Sequence, residues 1–199
     1  ILTINLHRAF RNAPTLPLLE KQDKTTVDTS LTIIVPTYNE EAIINECLES
    51  LFKNTPPCKH WKILLIDDES SDNTLENALS LARQLNFPKD LFQIKSAGPR
   101  PFNERWVGKN WACSQAMNHV DSTWVLFIDA DVQIHRDTLK RALKEAIQES
   151  ADLLSLAPKI TCGCLAEWIV QPIMASLIGL GFPITETNDP TSKKAFAAG

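Results

Sequence analysis

From Leu31 onward, short apolar runs alternate with stretches in which apolar residues recur at helical spacing. Leu31-Thr-Ile-Ile-Val35 is β-branched, lacks polar alternation and is ended by Pro36, so it predicts a buried strand. The next stretch, Glu40 to about Phe52, predicts a helix whose inner face is Ile43, Ile44, Cys47, Leu48, Leu51 and Phe52. Asn39 is placed to cap it, and Glu40 and Glu41 suit its positive end. Lys62-Ile-Leu-Leu-Ile66 predicts a second strand, ending on Asp67-Asp68. The polar cluster Glu69 to Thr74 then opens a helix that turns Leu75, Ala78, Leu79, Ala82 and Leu85 inward.

The alternation continues. Leu91–Ile94 predicts a third strand, Lys109 to His119 a helix, and Trp124–Ile128 a fourth strand ending on Asp129-Ala-Asp131. Asp137 to Glu149 predicts a helix burying Leu139, Ala142, Leu143, Ala146 and Ile147, and Asp152–Leu156 a further strand. Such an order predicts an α/β fold, a mostly parallel sheet with helices on both faces. Residues 1–30, with mixed charges and Pro14 and Pro17 but no period, read as a leader or linker to a domain over 31–199.

The 199 residues suffice for one domain with a real core, and 44% hydrophobic and 22% charged residues are ordinary for a globular chain. A net charge of −4 supplies no global basic field, which argues against nucleic acid as a partner. Cys47, Cys58, Cys113, Cys162 and Cys164 are scattered. Cys162-Gly-Cys164 has no second pair or finger-spaced histidine, so reduced cytosolic thiols are expected rather than zinc. A chain starting at Ile1 and stopping at Gly199 reads as a fragment cut at both ends.

Leu165 to Ile184 approaches the roughly 20 residues that cross a bilayer, but Glu167, Gln171, Pro172, Gly179, Gly181 and Pro183 weaken a span. An interfacial or acceptor-facing helix is preferred, ahead of a buried core helix and a true span.

Polar residues gather where the strands end: Thr37-Tyr38-Asn39-Glu40, Asp67-Asp68 and Asp129-Ala130-Asp131. Each alone could be a helix start, but open α/β sheets bind ligands at the carboxyl ends of their strands, and three such clusters would share one crevice. Two carboxylates in Asp-x-Asp can hold a hard divalent cation that keeps positions open for phosphate oxygens. Asp67-Asp68 can accept from a base N–H or ribose hydroxyls, the alternative being helix capping by Asp68 or Asp72. Arg100, Arg105 and Lys109 bring positive charge to a helix start, where Gly108 permits close backbone approach to a diphosphate. His7, His60, His119 and His135 are isolated, and His135 reads as a solvent-facing residue before an extra metal ligand. The chain has no Gly-x-Gly-x-x-Gly, no Gly-Lys-Ser/Thr loop and no Gly-x-Ser-x-Gly.

Val35-Pro-Thr-Tyr-Asn-Glu-Glu41, Ile66-Asp-Asp-Glu-Ser-Ser-Asp-Asn-Thr74, Gly108-Lys-Asn-Trp-Ala112 and Asp129-Ala-Asp131 resemble, in order and spacing, family 2 inverting glycosyltransferases of the GT-A fold. The stretch from Gln171-Pro172 through Asn188-Asp-Pro190 to Ala195-Phe-Ala-Ala-Gly199 resembles the membrane-associated branch that glycosylates hopanoids, carotenoids or other lipids.

The resemblance implies that Pro36, Tyr38 and Glu40 line a nucleoside pocket, that Asp67 or Asp68 contacts the base, and that Lys109, with its loop and Gly108, approaches the nucleotide. Asp129 would hold ribose or metal, and Asp131 would be the principal ligand of Mg2+ or Mn2+. It implies transfer from a nucleotide-diphosphate sugar, a UDP-sugar, to a lipid or other hydroxyl acceptor at the cytoplasmic face of a membrane. Two departures stand out. Glu69 replaces the usual glycine after the acidic pair, and the general-base carboxylate and a downstream Arg/Trp motif belong beyond the equivalent of Gly199. A sugar-nucleotide nucleotidyltransferase and a non-catalytic nucleotide-sugar-binding domain are the alternatives, the first disfavoured because Pro36-Thr-Tyr-Asn39 is not a Gly-rich phosphate loop.

Overall fold

A computed structural model describes residues 14–19, 26–157, 163–189 and 191–193. Residues 18–149 belong to one compact unit, and the described residues from Ser150 onward to another.

The first unit is a four-stranded parallel sheet. In chain order it comprises β1 (Ser30–Thr37), α1 (Ile44–Phe52), β2 (His60–Asp67), α2 (Thr74–Gln84), β3 (Phe92–Ser96), α3 (Gly108–Met117), β4 (Trp124–Phe127) and α4 (Thr138–Gln148). The strand order is β3-β2-β1-β4. The chain steps outward from β1 to β3, then returns to the other side of β1, which puts the topological switch between β1 and β4.

The apolar runs of β1 and β2 form strands because both faces of these central strands are covered. Leu31, Ile33 and Val35 of β1, with Ile63 and Leu65 of β2, pack under Ile44, Cys47, Leu48 and Leu51 of α1, Ala78 of α2 and Leu139 and Leu143 of α4. The alternate residues Ile34, Leu64 and Ile66 meet Ala112 and Ala116 of α3 on the opposite face. Each such fully buried Ile, Leu or Val contributes about 1.5–3 kcal/mol. Small alanines on α3 let its backbone lie close to the sheet.

Some expectations shift. α1 starts at Ile44 rather than Glu40, and Asn39 does not cap it, for Asn39 takes a left-handed φ of 55°. Leu79 of α2 and Ile147 of α4 are exposed at 41% and 39%, because each falls at the rim of its helix's buried stripe. Residues 152–156 have no regular structure and lie outside the sheet's unit, so the expected strand there is absent.

In the second unit, α5 spans Leu165–Gly181 with Pro172 inside it, followed by the single turn α6 (Ile184–Thr187). Pro172 has no N–H for the helical ladder, while Glu167 accepts from the Gly163 N–H at the helix start. Leu165, Trp168, Ile169, Ile173 and Leu177 are exposed. Among the described residues no helix is long and apolar enough to cross a membrane.

Candidate functional site

The two ladders of β1 have unequal lengths. β1 pairs with β2 from Ser30 to Thr37, but with β4 only from Leu31 to Ile34. The β4 side ends where the Ile128 N–H donates to the Ile34 carbonyl, 3.0 Å away. Alternate residues of a strand address the same neighbour, so Pro36 faces the β4 side, where it has no N–H to extend pairing. The carboxyl ends of β1 and β4 therefore part company at the switch point, the place where open α/β sheets take ligands.

The acidic pair after β2 has its two members in different roles. Asp67 and Asp68 are both 5% exposed. Asp67 Oδ2 accepts from the Ser70 N–H at 3.1 Å, while its Oδ1 is buried with no hydrogen-bond partner among the described residues. An orphaned buried acceptor is costly to keep unless something binds it. Asp68 is held by Arg100, Nη2 to Oδ2 at 2.8 Å. Neither residue caps α2, whose N-cap is Asn73; Asp72, one residue earlier, accepts from the Thr74 N–H at 3.0 Å.

Gly108, the first residue of α3, lies against this ion pair. A Cβ there would fall 2.7 Å from Asp68 Oδ2 and 3.2 Å from Arg100 Nη2, so any other residue would push the ends of this ion pair aside. Arg100 thus lies beside the acidic pair of β2, while Arg105 is exposed in the same loop.

Lys109 Nζ is 2.6 Å from Asp129 Oδ1, with both side chains 40% exposed. Asp131 is exposed two residues on. Burial, then the charges of Asp131, Asp72 and Asp129, push the Glu40 carboxyl above the ordinary carboxylate range. Glu40 and the Asp-x-Asp carboxylates therefore share one electrostatic field. Burial, with Asp131 and Asp129, likewise drives the Cys47 thiol up to about 12, so Cys47 stays a neutral S–H donor to the Asp129 carbonyl.

Two loops far apart in sequence, those after β1 and β2, are laced together at the carboxyl end of the sheet. The Asn39 N–H donates to Ser70 Oγ, and Asn39 Oδ1 accepts from the Ser71 N–H. The Glu40 N–H donates to Thr74 Oγ1, the Glu41 N–H to Asp72 Oδ2, and Glu41 Oε2 accepts from the Asn73 N–H. Desolvation opposes ionisation of Asp72, but the hydrogen bonds from Thr74 and Glu41 outweigh it and hold its carboxyl below the ordinary range. The polar clusters flagged these residues, but nothing in the sequence paired them. His135 is exposed, and its carbonyl accepts from Asn54 Nδ2.

Glu69 takes a φ of 62°, the left-handed conformation that glycine adopts freely. Since Glu69 is exposed, backbone sterics alone should set its tolerance. Glu69→Gly is expected to fall within about 1 kcal/mol of the wild type. Glu69→Val, β-branched at positive φ, should cost about 1–3 kcal/mol. Urea melts of the two variants measure the difference, and equal stabilities would rule out strain at this turn.

The fold is that of a doubly wound α/β protein, with acidic side chains and the Lys109–Asp129 pair gathered at its switch point. Residues 32–195 match the sequence profile of "Glycosyl transferase family 2", and the chain belongs to that family. Its fold is GT-A. It is similar to the solved mannosyltransferase PcManGT of Pyrobaculum calidifontis in complex with GDP-Man and Mn2+, with TM-score 0.52, 26% identity, and coverage of 73% of this chain and 39% of that one. It is also similar to residues 1–349 of Staphylococcus aureus TarS in complex with UDP, with TM-score 0.51, 28% identity, and coverage of 68% and 37%.

Among curated relatives, poly(ribitol-phosphate) beta-N-acetylglucosaminyltransferase TarS of Staphylococcus aureus is 32% identical over 128 residues, 64% of this chain and 20% of that protein. The 4,4'-diaponeurosporenoate glycosyltransferase of Staphylococcus aureus is 29% identical over 131 residues, 65% of this chain and 32% of that protein.

Proposed function

We propose that this chain is the donor-binding part of an inverting glycosyltransferase that moves a sugar from a UDP-sugar to a lipid or other hydroxyl acceptor. The observation that carries this reading is the meeting of Asp67-Asp68, Thr37 to Glu40 and Asp129-Ala130-Asp131 at the carboxyl ends of β2, β1 and β4. It is supported by two relatives named for sugar transfer and by the UDP bound in the TarS structure.

In this reading Pro36, Tyr38 and Glu40 line the nucleoside pocket, and the orphaned Oδ1 of Asp67 accepts a base N–H. Asp68, held by Arg100, shapes the wall beside Gly108. Lys109 faces the diphosphate.

Asp131 and Asp129 fit a divalent ion, Mg2+ or Mn2+. Their charges already repel Glu40. Among the described residues no three His, Cys, Asp or Glu side chains gather to hold a metal; in this reading phosphate and water oxygens would fill the other positions. Such an ion would offset charge building on the diphosphate as the sugar–oxygen bond breaks. A general base must deprotonate the attacking hydroxyl, and we assign it to none of the carboxylates described above. We place the whole protein at the cytoplasmic face of a membrane, with the exposed apolar residues of α5 as a contact surface and no role for nucleic acid.

Calorimetric titration with UDP, GDP, TDP and CDP, with and without Mn2+, tests the donor assignment. UDP is expected to bind tightest, and Mn2+ to strengthen it. Indifference to both nucleotide identity and metal would overturn the reading.

A further inference from the structure

We propose that Lys109 is the resident counter-ion of Asp129, which the divalent ion and the donor diphosphate displace together, so that neither binds well alone. The inference rests on the metal-and-diphosphate reading above and adds an order to it. Its basis is geometric: Lys109 Nζ lies 2.6 Å from Asp129 Oδ1, in the place that a cation bound to that carboxylate would contest. Asp131, two residues on, is exposed.

Without Lys109 the crevice would hold Glu40, Asp129 and Asp131 in one negative field, the situation that already drives Glu40 upward. Lys109 moderates this field. It also repels an incoming Mn2+ while it remains seated. A diphosphate gives the ammonium a second anion to pair with. Once it swings across, Asp129 is free to hold a divalent ion, which would supply positive charge to the diphosphate. Both side chains are 40% exposed, so the pair is screened by solvent and weak enough to exchange. By linkage, whatever UDP adds to metal affinity, the metal adds to UDP affinity.

Mn2+ binding, read from the EPR signal of the free ion, tests this without any turnover. In the absence of nucleotide, Lys109→Met is expected to bind Mn2+ about 2- to 5-fold more tightly than the wild type, the range a single exchangeable ion pair allows. The factor by which UDP strengthens Mn2+ binding should shrink by a similar amount. Lys109→Arg, which keeps the charge, should resemble the wild type. Lys109→Gln repeats the test if the methionine variant melts early.

Unchanged or weaker Mn2+ binding in both neutral variants, with Asp131→Ala still abolishing it, would overturn the counter-ion role and leave the metal site standing. An arginine variant as tight as the methionine one would also overturn it. Absence of Mn2+ binding by the wild type, even with UDP, would remove the metal reading and this inference together.

Discussion

Asp131→Ala is expected to abolish the Mn2+-dependent part of nucleotide binding, weakening UDP by about 100-fold or more in the presence of the metal, near 2.7 kcal/mol at ~1.4 kcal/mol per decade. The size follows from the division of labour between the two aspartates. Asp129 is already engaged by Lys109, whereas Asp131 is exposed at the end of the same turn. Removing Asp131 leaves a single carboxylate, too little to hold a divalent ion against water. Calorimetry with and without Mn2+ reads the effect, and an unchanged affinity would refute the metal assignment.

The same variant should not unfold. Asp131 is the second-ranked cause, after burial, of the raised Glu40 carboxyl. A carboxyl raised in the folded state binds its proton more tightly there than in the unfolded chain. Its contribution to stability is therefore present at low pH and lost as pH rises through the raised range. With Asp131 gone that shift shrinks, so stability should fall less between the ordinary value near 4.5 and neutrality. Loss of metal-dependent binding with intact or slightly improved melting at neutral pH separates a ligand role from a structural one.

Ile33→Ala should cost about 3–4 kcal/mol, a large share of the roughly 5–15 kcal/mol that holds a domain together. Ile33 is fully buried in β1, in register with Ile63 of β2 on one side and Leu126 of β4 on the other. It belongs to the apolar layer covered by α1 and α4. A urea midpoint shift corresponding to less than about 1 kcal/mol would contradict the central placement of β1. By contrast Leu79, expected to face inward but 41% exposed, should tolerate alanine with little loss.

These contrasts mark how far the hydrophobic pattern reaches. The runs in β1 and β2 were legible because a strand buried on both faces has no polar residue to interrupt it. The fourth strand was legible from Trp124 to Ile128, and its acidic end with it. Residues 152–156 carry a similar short apolar run, yet form no strand, since a run of that length states only a preference and pairing needs a partner edge. Helix starts were misread at α1 for a related reason. Asn39 and Glu41 have the chemistry of caps, but their hydrogen bonds go to Ser70, Ser71 and Asn73 across the loop after β2. Arg100 was legible as a positive charge bound for a ligand, but its partner, Asp68, was not.

By itself the sequence determined that the chain alternates buried strands with amphipathic helices and that acidic groups stand at three strand ends, because local periodicity and composition encode both. What only the tertiary structure decided is which of those groups meet. The order β3-β2-β1-β4 brings residues far apart in sequence to one crevice, orphans one oxygen of Asp67, presses Gly108 against the Asp68–Arg100 pair and seats Lys109 on Asp129. Such contacts depend on strand order and on how closely α3 can approach the sheet, and no local pattern carries that information.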